Sequence, residues 1–162
     1  MMSIHTFSSG PPITVHLSGN KTHLLQVTLI FGKNFVCSWD KTLLPEPFLN
    51  WLEAYSLKRP VSLAEGLDIE HLPPFHQETL LHLQTLPFGS TASYKQIAEA
   101  LENPKAARAV GNACNKNPFP IFIPCHRVIA AQGKLGGFAI DMRIKQALLE
   151  FEKPLNDSSL SD

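Results

Sequence analysis

Ser93-Tyr94-Lys95-Gln96-Ile97-Ala98-Glu99-Ala100-Leu101-Glu102-Asn103-Pro104-Lys105-Ala106-Ala107-Arg108-Ala109-Val110-Gly111 is the stretch on which the fold turns. Ser93 followed three residues later by Gln96 is a capping-box pattern, so a helix starts at Tyr94. Its apolar face is Tyr94, Ile97, Ala98 and Leu101. Asn103-Pro104 predicts a second start, with Asn as the cap and Pro at the first helical position. That second helix carries Ala106, Ala107, Ala109, Val110, Gly111 and Ala113. Two short helices joined by so tight a turn read as a helix-turn-helix.

Working outward, Phe75, Thr79, Leu80, Leu83 and Leu86 repeat at helical spacing, and Pro87-Phe88-Gly89 ends that run. Further upstream, Leu24 to Phe31 and Phe35 to Trp39 are β-branched and aromatic runs separated by Gly32-Lys33-Asn34, a hairpin pattern. Pro45 to Tyr55 predicts a short helix on the spacing of Phe48, Leu49, Leu52 and Tyr55. Lys58 to Leu72 carries weak signals and reads as the connection between two lobes. Downstream, Pro118-Phe119-Pro120 breaks the chain, and the apolar Ile121-Phe122-Ile123 delivers Pro124-Cys125-His126-Arg127 to a cleft. Gly133, Gly136 and Gly137 mark loops around Lys134-Leu135. A last helix is expected from near Asp141, carrying Ile144, Ala147, Leu148 and Phe151, and the tail beyond Pro154 reads as disordered. The expected class is α+β: a small α/β lobe with a short antiparallel sheet over 1–72, a mainly helical domain with the helix-turn-helix over 73–153, and a tail over 154–162.

With 162 residues, 44% of them apolar and 17% charged, the chain can bury a real core and is not a disordered one. No apolar run approaches the ~20 residues that span a bilayer. The first residues show no basic region leading into an apolar stretch, so the expected compartment is the cytoplasm. Cys37, Cys114 and Cys125 are too few and too scattered for a disulfide framework, and no His/Cys cluster has zinc-ligand spacing. Neither metal nor cofactor is expected. Net charge is zero, yet Pro104 to Ile140 holds Lys105, Arg108, Lys116, Arg127 and Lys134 with no Asp or Glu. A phosphate-contacting face and a solvated surface balanced by acidic groups elsewhere are both open on charge alone.

Cys125 sits between rigid neighbours, with His126 and Arg127 directly after it. A thiol reacts as thiolate, and both neighbours are able to lower its pKa. Adjacency alone leaves a reactive and an inert cysteine equally open. Arg108, a long cation among short side chains, fits a phosphate contact, a wedge in a base stack or a plain surface position. A thiol about a dozen residues after a helix-turn-helix suggests chemistry on a base, which requires the base to leave the stack.

Ile123-Pro124-Cys125-His126-Arg127-Val128 resembles the active-site signature of the O6-alkylguanine-DNA alkyltransferases, or methylated-DNA–protein-cysteine methyltransferases. Ser93 to Ala98, Asn103 to Gly111 and Asn115-Lys116-Asn117-Pro118 resemble the same family in order and spacing, so the likeness runs from about Phe75 to Glu152. It implies direct-reversal DNA repair: irreversible transfer of an alkyl group from O6-alkylguanine, and in principle O4-alkylthymine, to Cys125, once per molecule. It implies that His126, through a water, takes the thiol proton, that Glu152 polarises His126, and that Asn117 braces the turn. Arg108 would replace the extruded base, Tyr94 would help rotate the nucleotide outward, and Ala106, Ala107, Gly111 and Arg127 would complete the DNA-contacting set. Tyr94, Val128, Phe138 and Ala139 would form the base pocket, and Lys145 matches a basic position of open role. The implied partner is double-stranded DNA, entered by the minor groove, with no membrane and a monomeric protein.

Phe138-Ala139-Ile140-Asp141 departs from the family pattern, which commonly has tyrosine first and glycines later. Three other readings compete. A damage sensor of similar fold would lack the acceptor thiol. A helix-turn-helix regulator would need base-reading side chains that Ala106-Ala107 and Ala109-Val110 do not offer. A cysteine hydrolase would need an oxyanion hole that nothing marks.

Overall fold

The computed structural model of the protein describes residues 2–43, 45–59, 62–63, 66–136 and 139–154. Phe138, the expected tail beyond Pro154, and positions 60–61 and 64–65 of the expected connection lie outside them. The elements run β1 (Ser3–Thr6), β2 (Ile13–Gly19), β3 (Leu24–Phe31), β4 (Val36–Trp39), α1 (Glu46–Ser56), α2 (Pro74–Leu83), β5 (Ala92–Ser93), α3 (Tyr94–Ala100), α4 (Ala107–Asn115), β6 (Val128–Ile129) and α5 (Met142–Glu152). Among the described residues this is a mixed α/β architecture with a small sheet and five helices.

The four-stranded sheet has the order β1-β4-β2-β3. The expected hairpin between Leu24–Phe31 and Phe35–Trp39 does not form. β3 turns back antiparallel on β2, with Val15 opposite Leu29, and β4 lies on the other side of β2, parallel to it, with Val15 opposite Cys37. The expected antiparallel sheet is therefore mixed. The reason lies in β2. Ile13, Val15 and Leu17 are fully buried and alternate with half-buried residues, so the strand packs best with a neighbour on each edge. Gly32-Lys33-Asn34 carries the chain around the start of β2, where the Gly32 amide donates to Pro12 O at 2.8 Å. Gly10 completes this corner. Its φ is +137°, and a Cβ there would meet the Phe35 ring at 2.4 Å.

α1 follows its sequence pattern to within a residue and buries Phe48, Leu52 and Tyr55. α2 ends at Leu83, and two turns carry the chain through Leu86 to Pro87. At α3 both halves of the capping box form. The Gln96 amide donates to Ser93 Oγ at 3.0 Å, and the Ser93 amide donates to Gln96 Oε1 at 2.8 Å.

Asn103 does not cap α4, which begins at Ala107 without a side-chain cap. Asn103 instead closes α3. Glu102 adopts φ +58°, its amide donates to Glu99 O, and the Asn103 amide donates to Ala98 O at 2.9 Å. These are the two hydrogen bonds of a Schellman motif. Asn103 O then accepts from the Ala106 amide in a turn, so Pro104 stays outside the helix. α4 packs on α2 and α3.

One apolar cluster joins the inner face of the sheet to the helices. The apolar segment Ile121-Phe122-Ile123 is buried, and so is Phe119 before it, with Phe122 tilted against Trp51 at 4.8 Å and edge-on to Phe48 at 5.7 Å. The Val27 amide in β3 donates to Pro118 O at 2.9 Å, a further tie between the sheet and this segment. No helix among the described residues is long and apolar enough to cross a membrane.

Candidate active site

The segment before Cys125 is bent twice. Ile121 has φ +74°, an uncommon conformation for a β-branched residue. Asn117 holds the bend from both ends of its amide. Its Nδ2 donates to Ile123 O at 2.9 Å, and its Oδ1 accepts from the Phe119 amide at 2.9 Å. Pro124 (φ −79°, ψ 62°) then makes an inverse γ-turn, with the Cys125 amide donating to Ile123 O at 2.8 Å. A 3-10 turn over Cys125–Arg127 follows directly.

This path buries the Cys125 thiol. Burial pushes its pKa up. The Asn117 side chain, the Lys145 charge and the amides of Cys125 and His126 pull it back only in part. The resting group is therefore a neutral thiol, and neither His126 nor Arg127 lowers its pKa through a side-chain charge, contrary to the expectation from adjacency.

Lys145 reaches the same place from α5. It is fully buried, donates from Nζ to Val128 O at 2.7 Å and lies 6.0 Å from the centre of the Tyr94 ring. Desolvation lowers its pKa, opposed by the Cys125 and Cys114 sulfurs. Tyr94 opens α3, half-buried, with its ring near Gly111 and Gly136. Burial foremost, then the Cys114 and Cys125 charges, push its hydroxyl up to about 12, so it stays protonated at neutral pH. Burial foremost, then the Cys125 charge, push the Cys114 thiol up to about 12 against the Lys145 charge. Val128 is fully buried and pairs with Ala92 across β5 and β6.

Behind the turn lies a second group of contacts centred on Glu152, the last residue of α5. Its Oε1 accepts from His126 Nε2 at 2.7 Å, the Tyr55 hydroxyl at 2.8 Å and Arg127 Nη2 at 2.9 Å. Its Oε2 accepts from Arg127 Nε at 2.8 Å. Burial alone would push the Glu152 carboxyl up. The His126 charge, hydrogen bonds from His126 and Arg127, and the Arg127 charge outweigh it and hold the carboxyl well below the usual carboxylate range. The other ring nitrogen, His126 Nδ1, is buried and has no hydrogen-bond partner among the described residues. Gly89 lets the Pro87-Phe88-Gly89 turn approach. Its φ is +80°, and a Cβ would lie 2.8 Å from Glu152 O.

Arg127 is placed differently from the other cations of its stretch. Grouped from sequence with the DNA-contacting residues, it is buried, with Nη1 donating to Leu86 O at 2.7 Å and the rest of the guanidinium on Glu152. Three of its five N–H groups are engaged in these bonds. The other four cations of that stretch, Lys105, Arg108, Lys116 and Lys134, are exposed, and Ala106, Ala107 and Gly111 are half-buried along the same turn and helix as Arg108. Of the expected base pocket, Val128 is buried and bonded to Lys145, Tyr94 is half-buried beside Lys145, and Ala139 is exposed.

Sequence reasoning missed Tyr55 and left Lys145 without a role. Both had a signal. A tyrosine on a buried helix face needs a partner for its hydroxyl. Lys145 lies between Ile144 and Leu148 on the apolar face of the last helix, where a lysine is costly without a function.

Residues 74–154 match the family model described as 6-O-methylguanine DNA methyltransferase, DNA binding domain. The chain belongs to the methylated-DNA–protein-cysteine methyltransferase family. The methyltransferase of that name from Methanosarcina acetivorans is 37% identical over 143 residues, covering 84% of this chain and 89% of its own length. The one from Homo sapiens is 40% identical over 118 residues, covering 67% of this chain and 56% of its own length, so the matched part spans little more than half of that relative. The crystal structure of Mycobacterium tuberculosis OGT in complex with DNA superposes with a TM-score of 0.71 at 32% identity, covering 92% of this chain and 99% of that one.

Proposed function

We propose that the protein repairs alkylated DNA by direct reversal, moving an alkyl group from O6 of guanine onto Cys125 once per molecule. The observation that carries this reading is the arrangement around the thiol. A buried, neutral Cys125 sits on a braced turn, next to a histidine whose Nε2–H is fixed on Glu152 and whose Nδ1 has no partner among the described residues. With Nε2 carrying the proton, Nδ1 offers a lone pair.

The chemistry follows from these groups. The thiol proton passes through a bridging water to His126 Nδ1, and Glu152 stabilises the imidazolium that forms. The Lys145 ammonium and the nearby amides stabilise the thiolate. Sulfur attacks the alkyl carbon, the carbon–O6 bond breaks, and its electron pair leaves with the guanine. The Tyr94 hydroxyl, still protonated, serves the guanine N3 as that charge develops. The product is a thioether. Cys114, the nearest other thiol, is held neutral and offers no route to reverse it.

DNA engagement is assigned to residues 73–153, with 1–72 as the supporting lobe. α3 and α4 act as the helix-turn-helix and α4 enters the minor groove, where Ala106, Ala107 and Gly111 permit close approach. Arg108 takes the place of the extruded base, and Lys105, Lys116 and Lys134 supply phosphate contacts. Val128 O bonds Lys145 and is assigned to read the guanine edge, and Phe138 and Ala139 are assigned with Tyr94 to contact the base. The protein acts as a monomer, in the cytoplasm. The DNA complex solved for the mycobacterial relative supports DNA as the partner.

Incubation with duplex DNA carrying labelled O6-methylguanine tests the reading. Transfer stops at one equivalent per protein, and the digested product carries the methyl on the Cys125 peptide. Continued turnover, or label on Cys114 or Cys37, refutes it.

A further inference from the structure

We infer that Tyr55 is a positioning residue for the transfer reaction, setting how strongly Glu152 supports the His126 imidazole. The inference rests on the reading of Cys125 as acceptor and His126 as its base.

Tyr55 lies on α1, 97 residues from Glu152 in the chain. Its hydroxyl donates to Oε1, the carboxylate oxygen that also accepts from His126 Nε2. Among the described residues Oε2 receives only Arg127 Nε. The oxygen facing the histidine is thus the crowded one, and among the described residues Tyr55 is its only donor from the first 59. The ring cannot swing away. It stacks on Trp51 at 5.3 Å and 13°, and packs against Phe88 at 5.5 Å and Phe151 at 5.4 Å. The hydroxyl also stays a donor, because burial and then the Glu152 charge push its pKa well above the ordinary tyrosine value. Phenylalanine would fill the same aromatic cluster without supplying this bond.

The sign of the effect follows. A donor on Oε1 draws charge from the carboxylate and weakens its hold on a protonated His126. Removing that donor concentrates the charge on His126, so the protonated ring persists to higher pH and the base is lost there. The titratable groups around His126 are Glu152 from α5, Tyr55 from α1, and Cys125 and Arg127 on its own turn. Lys145 from α5, Cys114 from α4 and Tyr94 from α3 stand around the thiol beyond it. Tyr55→Phe leaves all of these except Tyr55 unchanged.

The test compares full-length wild type, Tyr55→Phe and Phe35→Leu. Phe35 lies 6.2 Å from the Tyr55 ring, so its truncation loosens the packing without touching a bond to Glu152. Single-turnover transfer from labelled duplex is followed over about pH 5 to 8, with the His126 ring titrated by NMR in the absence of DNA. In Tyr55→Phe both the acid limb of the rate profile and the His126 titration move up by about half to one pH unit, the size of one hydrogen bond. Transfer on that limb falls about three- to tenfold, and DNA affinity and the one-equivalent end point are unchanged. In Phe35→Leu neither curve moves. Superimposable curves for Tyr55→Phe and wild type, or an equal shift in Phe35→Leu, overturn the inference and leave the alkyl-transfer reading standing. A wild type that takes up no label overturns both.

Discussion

His126 Nε2 and Glu152 Oε1 lie 2.7 Å apart with both side chains about 1% exposed. A carboxylate so deeply buried is tolerable only because every donor around it is aimed at it, two from Arg127, one from His126 and one from Tyr55. The same contacts that serve the proposed proton relay therefore hold the last helix to the turn carrying Cys125. Chemistry and stability are coupled at this point, and the coupling has a pH signature.

Glu152→Gln should slow alkyl transfer far more than it weakens DNA binding, and should cost about 3–5 kcal/mol at neutral pH because Arg127 is left buried without its anion. The folded-state pKa of Glu152 is depressed. Its contribution is therefore present above the unfolded carboxyl pKa of ~4.3 and is lost as pH falls through that value toward the folded one. Urea midpoints measured from neutral pH downward should show the wild-type advantage shrinking below about pH 4. A gap that stays constant to lower pH would mean that Glu152 is not ionised in the fold.

The Cys125 thiol should react as an up-shifted one. In the absence of DNA, its alkylation by iodoacetamide should rise with pH to a midpoint above the ~8.5 of a free thiol. Lys145→Met should move the midpoint higher still, because the positive charge that favours the thiolate is gone. A midpoint below about pH 7 would show a thiolate already formed at rest and would remove the need for His126 as base.

Arg127 and Arg108 should behave oppositely. Arg127→Met should destabilise the fold by about 3–5 kcal/mol while leaving the salt dependence of DNA binding unchanged, since a guanidinium held by Glu152 and Leu86 O neutralises no phosphate. Arg108→Ala should leave stability within about 0.5 kcal/mol. It should reduce repair of duplex by about ten- to a hundredfold, with less effect on free O6-benzylguanine, where no base is extruded. Equal losses on the two substrates would place Arg108 in pocket shaping instead.

Gly89→Ala should destabilise the protein by about 1–3 kcal/mol and slow transfer, because both its φ and the nearby Glu152 carbonyl exclude a side chain. The slowing should appear in the transfer rate rather than in DNA affinity. Thermal melts beside single-turnover rates would check it, and an unchanged rate would separate this turn from the relay.

Much of this molecule is written locally. The capping box at Ser93, the helical spacing through Phe48, Leu52 and Tyr55, and the start of α5 behind Asp141 were legible because each depends on contacts within a turn or two. The order of motifs around Cys125 was legible for the same reason, and it carried the family. The alternation of Ile13, Val15 and Leu17 was equally local and marks a strand, but a strand pattern does not name its partner. Which edge of β2 receives β4 is a matter of long-range packing, as is where the Phe35 ring lies against Gly10. The role of Asn103 turned on a contest between neighbours, since it closes one helix before it can open the next.

Only the tertiary structure decided the thiol's electrostatics, the fate of Arg127 and the arrival of Tyr55. Sequence adjacency suggested that His126 and Arg127 would acidify Cys125. Desolvation works the other way, and desolvation is set by everything packed around the sulfur rather than by its neighbours in the chain. Arg127 reads as one more exposed cation until Glu152, 25 residues on, claims it. The bond from Tyr55 spans 97 residues. Dihedral preference and hydrophobic periodicity reach only a few residues, so the sequence alone determined which elements form and which thiol they present. Burial and long-range pairing, which exist only once those elements pack, decided what that thiol and its partners are able to do.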